Sequence, residues 1–351
     1  MFKQILKTIF ELLFRIITMR KLIIGIIFQL ILLACQPFEK GINMETNDHK
    51  KFSCSVETGL CSEHKHSDIE EIQIQPINKV TVLYYTDPIC SACWAIEPEL
   101  KKLKLMYGDY MDIEYRMGGL LPQWEGFADS GNGISGPKDV AIHWDEVGEY
   151  SGMSINGDVW LEDPLHSSYP PSIAFKAMQE QGYDISIKFL RRIREMVFLE
   201  KKNITKEIHL SQAVRDCGGN VEKFLIDYKD PASETAFKAD LMQGRRMGVR
   251  SFPTFLFLGE DGKGFKISGM SHFDNFVSAL EKARGEKVHA RSLNWDALEL
   301  LRNYSLLSTK ELAVLLDRDQ TSMIKELEEA ELEGKVKEHI HKFGSFWSLI
   351  N

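Results

Sequence analysis

Cys90 and Cys93, in the string D-P-I-C-S-A-C-W, are the residues whose types and spacing can do chemistry. A C-x-x-C pair supports either thiol–disulfide exchange or half of a tetrahedral zinc site. The flanking sequence favours exchange. Val80, Val82, Leu83, Tyr84 and Tyr85 form a β-branched and aromatic run that reads as a buried strand, ended by Asp87 and Pro88. Trp94, Ile96, Leu100, Leu103 and Met106 then recur at helical spacing. A zinc knuckle usually sits on a turn between short strands, whereas this pair opens a helix directly after a strand. Cys90 is therefore expected at a helix N-terminus, where unpaired N–H groups and the helix dipole stabilise a thiolate and lower its pKa. Cys90 would be the attacking sulfur and Cys93 the resolving thiol.

The elements that must position this pair follow in order. Asp112 to Met117 alternates as a strand, and Gly118-Gly119 lets the backbone turn away from the sheet. Leu120 to Pro171 is rich in Gly, Pro, Trp and Asp and reads as one long loop, a length usually tied to function. Within it His143, Trp144 and Asp145 suggest packing rather than a catalytic set, since no nucleophile lies nearby in sequence. Trp124, Phe127, Trp160 and Tyr169 either line a peptide cleft or pin the loop. Ser172–Gln181, Ile185–Glu200, Ile208–Cys217 and Val221–Tyr228 read as amphipathic helices forming an insertion. A further helix spans about Ser233 to Met247. Strands follow at Val249–Leu258, opened by Pro253, and at Phe265–Ser268; Phe273–Arg284 closes the unit. Cys217 reads as a free, partly buried thiol without a role.

The N-terminus carries a targeting pattern. Met19-Arg-Lys precedes the apolar Leu22 to Leu33, and Leu32-Leu33-Ala34-Cys35 has the form of a bacterial lipobox with Cys35 as the lipidated residue. The competing start is Met44, which leaves a cytoplasmic protein. Gln36 to Pro76 is a polar tether interrupted by a knot, Cys54-S-V-E-T-G-L-Cys61 followed by His64 and His66. In an oxidising compartment the two cysteines would close a disulfide loop; in a reducing one the four residues offer a zinc site. No cofactor other than that zinc is expected, and no phosphate-binding glycine loop appears.

T-D-P-I-C-S-A-C-W-A-I-E-P-E-L, R-M-G-G-L and G-V-R-S-F-P-T-F together resemble the DsbA-type thioredoxin family, over about Val80 to Arg284. The FrnE-like dithiol oxidoreductases and the YjbH/SpxH group are the branches it is most similar to. The resemblance implies an α/β thioredoxin-like fold with a helical insertion. It implies a cis Pro253 beside the cysteine pair, with Phe252, Thr254 and Trp94 bordering the substrate. The Cys/His knot and the D-P-x-C-x-x-C-W-A-x-E-P string resemble YjbH, whose members act as adaptors delivering the regulator Spx to the ClpXP protease.

Beyond a linker at Gly285 to Ser292, helices are expected at Trp295–Leu301, Lys310–Leu316 and Gln320–Glu333, then a hairpin over Lys335–His341 and Phe343–Leu349. This order suggests a small winged-helix-like module. Glu326, Glu328, Glu329, Glu331 and Glu333 on its third helix would repel phosphate, and the chain's formal net charge of −8 agrees, so no nucleic-acid partner is expected.

The expected organisation is a signal and lipobox segment at 1–35, a tether with the knot at 36–78, a DsbA-like domain at 79–285 with its insertion at about 120–232, and the module at 293–351. The expected function is an enzyme, a DsbA-family thiol–disulfide oxidoreductase or isomerase acting on protein thiols through Cys90, Cys93 and Pro253. It would be reset by a redox partner and anchored outside the membrane through Cys35. The alternative is a non-catalytic YjbH/SpxH-like adaptor that holds a client protein, in the cytoplasm if translation starts at Met44.

Overall fold

The computed structural model describes residues 52–54, 61–63, 79–260, 262–292 and 294–350. The chain divides into two units, Met1–Ile74 and Gln75–Asn351. In the first, β1 (Phe52–Cys54) pairs antiparallel with β2 (Cys61–Glu63), and the register sets Cys54 opposite Cys61. His64, His66 and Cys35 lie outside the described residues. Among the described residues no helix is long and apolar enough to cross a membrane.

The second unit is built on a four-stranded sheet in the order β4-β3-β5-β6. Its strands are β3 (Val80–Thr86), β4 (Met111–Met117), β5 (Thr254–Leu258) and β6 (Gly264–Ser268). Strand β3 runs parallel to β4 and antiparallel to β5, so it is interior on both edges. Its near-continuous apolar run follows from that position, because both faces must be covered. Val82 and Tyr84 enter the main core, where Tyr84 stacks on Phe255 with ring centroids 4.3 Å apart. Leu83 and Tyr85 join Leu256 in a smaller cluster on the opposite face.

Helix α1 (Ser91–Ala95) follows the turn after β3, and α2 (Glu97–Tyr107) follows at once. The expected single helix is thus two. Pro98 in the first turn of α2 has no N–H to donate, so the hydrogen-bond ladder is interrupted there and Ile96 serves as the boundary of both. The stretch expected to be one long loop holds α3 (Pro137–Ser151) and the short α4 (Val159–Glu162). Its signals were a proline at the start of α3 and Gly152 at its end, where φ is +71°. The insertion continues through α5 (Tyr169–Gln179), α6 (Tyr183–Phe198), α7 (Glu207–Asp216) and α8 (Val221–Lys229). Helix α9 (Pro231–Arg246) returns the chain to the sheet. A Cβ on its Gly244 would stand 2.9 Å from the Tyr85 ring, so glycine permits that close approach. Helix α10 (Phe273–Arg284) packs on β5 and β6.

The C-terminal part consists of α11 (Ala297–Tyr304), α12 (Thr309–Leu315), α13 (Gln320–Leu332) and a three-stranded sheet in the order β7-β9-β8. Its strands are β7 (Leu307–Ser308), β8 (Val336–His341) and β9 (Gly344–Leu349). Leu300, Leu312, Leu327 and Trp347 form its own core, while Phe346 belongs to the main core of the unit. Helix α12 packs along α2, which places this module directly behind the helix that follows the cysteine pair.

A buried cysteine pair beside an aromatic cleft

The turn that presents the cysteines is held by Asp87. Its carboxylate accepts hydrogen bonds from the Ile89 N–H at 3.1 Å, the Leu120 N–H at 2.8 Å and the Ser168 hydroxyl at 2.9 Å. Burial nevertheless raises its pKa to about 6, because those donors and the nearby Arg194 offset only part of the desolvation. Cys90 is the N-cap of α1, and its Sγ accepts the Cys93 N–H at 3.1 Å.

That contact favours a thiolate on Cys90, yet the expected low pKa does not result. Burial and the adjoining Cys93 push the Cys90 thiol well up. Two physical reasons account for the correction. Helix α1 has five residues, too short for a full macrodipole, and Cys90 is only 4% exposed. Burial also works against ionisation of Cys93, but the hydrogen bond from Cys90 and the charge of Arg194 outweigh it and hold that thiol below its usual range. Cys93 is wholly buried, so the more ionisable sulfur is the one that solvent does not reach.

Arg194 of α6 is the residue that sequence reading missed. Its guanidinium is buried and donates to Glu97 Oε1 at 2.7 Å, to the Thr86 hydroxyl, and to the Asp87 carbonyl at 3.3 Å. Glu97 also binds Lys101 at 3.1 Å, and Lys101 reaches Glu311 of α12 at 2.8 Å. Arg191 closes the network with a bidentate contact to Glu311 at 2.8 and 3.1 Å. Although burial opposes it, the charges of Lys101 and Arg194 bring the Glu97 carboxyl down to about 2. A run of fixed charges therefore extends from behind the cysteines to the C-terminal module.

The Phe252–Pro253 peptide bond is cis. Phe252 lines an apolar cleft of about 370 Å³ together with Cys90, Trp124, Phe127, Trp160 and His143. Gly118 makes room for it, since a Cβ there would lie 2.2 Å from the Phe252 ring. Trp124 is anchored by its indole N–H to the Leu165 carbonyl at 2.9 Å. Tyr169 packs instead on Phe237 and does not line this cleft. Trp94 and Thr254 do not border the cleft. Trp94 is completely buried, donates to the Ser154 carbonyl at 3.0 Å and stacks on Phe198 and Phe346. The buried Thr254 donates to the Ser251 carbonyl at 2.7 Å. Both are corrected from substrate contacts to packing residues, because the helical turn that exposes Cys90 to the cleft points Trp94 inward. His143 stands at the cleft while Asp145 accepts the Gly157 N–H and a salt bridge from Lys342, so that trio is not a catalytic set. Among the described residues, no group of three or more His, Cys, Asp or Glu is placed to hold a metal.

A family model described as thioredoxin matches residues 83–278. A protein of Halalkalibacterium halodurans named ClpXP adapter protein SpxH is 34% identical over 300 residues, covering 85% of this chain and 97% of that protein. The chain belongs to the SpxH family of thioredoxin-fold proteins. A second SpxH, from Shouchella clausii, is 32% identical over 300 residues and covers 85% of this chain and 96% of its own length. A solved structure of a Nitrosomonas europaea protein, described as a candidate protein disulfide isomerase, superposes with a TM-score of 0.50 at 15% identity. It covers 59% of this chain and 96% of that one. That likeness shows the thioredoxin fold alone. The expected assignment as a DsbA-family oxidoreductase is overturned by these SpxH relatives, which carry the name of an adaptor rather than of a redox enzyme. The low accessibility of both sulfurs and the raised pKa of Cys90 run the same way.

Proposed function

We propose that this chain is a cytoplasmic adaptor that holds a client protein for the ClpXP protease without using its cysteines for catalysis. The observation that carries the reading is the extent of the SpxH match, which takes in 85% of the chain and so reaches well beyond the thioredoxin-matching segment. The geometry supports it. The aromatic cleft beside Cys90 and Phe252 offers a preformed apolar surface for a client segment, and the C-terminal module is fixed behind it by Glu311 and Phe346. In this reading Phe252 and Cys90 line the cleft, and Cys93 is buried beneath it.

The client implied by the resemblance is the regulator Spx, and the cytoplasmic address corresponds to translation from Met44. Zinc on Cys54, Cys61, His64 and His66 belongs to the same reading, because cytoplasmic thiols remain reduced. The register of β1 and β2, which sets the two cysteines opposite one another, supports it. Metal analysis of the purified chain then finds one zinc that Cys54→Ser removes; a metal-free chain with all four residues intact would refute that part. For the adaptor itself, Spx is expected to co-purify equally with the wild-type chain and with the Cys90→Ser/Cys93→Ser variant. Capture that requires either cysteine would overturn the proposal.

A further inference from the structure

A second cavity, of about 530 Å³, shares no lining residue with the cleft. It is walled by α2, α6, the end of α7 and the segment that follows α11. We propose that it binds a small phosphorylated metabolite, with the phosphate on Lys104 and Lys188 and the body of the molecule against Leu190, Leu306 and Tyr304. The argument is one of charge accounting. Glu97, Glu195 and Asp216 line the cavity, but each is already engaged, by Arg194 and Lys101, by Arg191, and by Arg192 respectively. The two lysines are what remains. Lys104 binds only the Tyr115 hydroxyl, at 2.7 Å, and stands 4.8 Å from that ring's centroid. Lys188 has no carboxylate partner among the described residues.

Lys104 has no carboxylate within ion-pair distance, and burial lowers its pKa because the more distant Tyr183, Glu97 and Asp184 offset only part of the desolvation. A dianion placed between Lys104 and Lys188 would neutralise both. Ser305 on the rim is the C-cap that ends α11, with φ at +62°. The volume exceeds what inorganic phosphate needs and falls in the range of small-molecule sites, and the aromatic and aliphatic wall suits an attached organic body. This inference is independent of the adaptor reading, since neither the cysteines nor the cleft takes part.

The test is titration of the full chain with pyrophosphate and with adenosine monophosphate, by calorimetry and thermal shift, against sodium chloride at matched ionic strength and adenosine as controls. At least one of the two phosphates is expected to bind saturably and raise Tm, while both controls have no effect. Lys188→Ala, at an exposed position that cannot compromise the core, and Lys104→Met, which keeps the aliphatic stem, should each weaken binding about tenfold. Absence of saturable binding by both phosphates, or unchanged affinity in Lys188→Ala, overturns the proposal even where Lys104→Met fails to fold.

Discussion

Cys90 shows how a residue's address can cancel its position. A cysteine capping a helix ahead of a C-x-x-C turn ought to be an acidic nucleophile, but here a five-residue helix contributes little and burial dominates. Iodoacetamide at pH 7 is accordingly expected to label neither Cys90 nor Cys93 in the folded chain and to label both after denaturation. Rapid native labelling of Cys90, read by peptide mass spectrometry, would contradict this. Asp87 makes a second prediction at the same scale. Its folded pKa of about 6 lies above the ordinary 3.8, so its protonated form favours the folded state. That stability is fully present below about pH 3.8 and is lost as pH rises through 6. Relative to Asp87→Asn, the wild-type chain should lose about 2 kcal/mol of unfolding free energy between pH 4.5 and 7. A parallel pair of pH profiles in denaturant titrations would show that the carboxyl is not perturbed. Glu97, held near 2, acts with the opposite sign and below this window, its contribution being lost only as pH falls from about 4.5 towards 2.

Among the elements, α12 carries the most weight for its size. Ser308 caps it, Glu311 returns the capping bond to the Ser308 N–H at 2.9 Å, and the same carboxylate, wholly buried, binds Lys101 and Arg191. Removing it takes one of two carboxylate partners from each cation, leaving Lys101 on Glu97 and Arg191 on Glu195, so Glu311→Ala should cost roughly 3 kcal/mol, whereas Ser308→Ala should cost about 1 kcal/mol. Equal losses for the two variants in urea unfolding would show that the network adds nothing to the cap. The four strands of the main sheet, the insertion helices α5 to α8 and the helix–helix–helix–hairpin order of the C-terminal module were legible in the sequence. Each carries its own periodicity and punctuation, whereas the fit of Phe252 over Gly118 was not legible, since Gly118-Gly119 reads only as a turn. The long-range ion network was not. Arg194 lies between Leu190 and Phe198 at spacings of four on α6, so a charge stands in the middle of an apolar stripe, which is a readable sign of a buried ion pair. Its partner Glu97 is far away in the chain, and no local pattern joins them. Helices α3 and α4 were hidden by a composition of Gly, Pro and Trp that reads as loop, although Pro137 and Gly152 marked the ends of α3.

At the scale of the whole second unit, the thioredoxin scaffold and the C-terminal module share a core and a charge network. In the proposed reading the aromatic cleft serves recognition without redox chemistry, since a fold does not by itself fix a function. The proposed adaptor role is tested most directly by reconstituted degradation of Spx by purified ClpXP, with the Cys90→Ser/Cys93→Ser variant supplied in place of the wild-type chain. The account predicts that both proteins accelerate Spx loss to the same degree and that neither is consumed. Acceleration by the wild-type chain alone, or by neither, would contradict it.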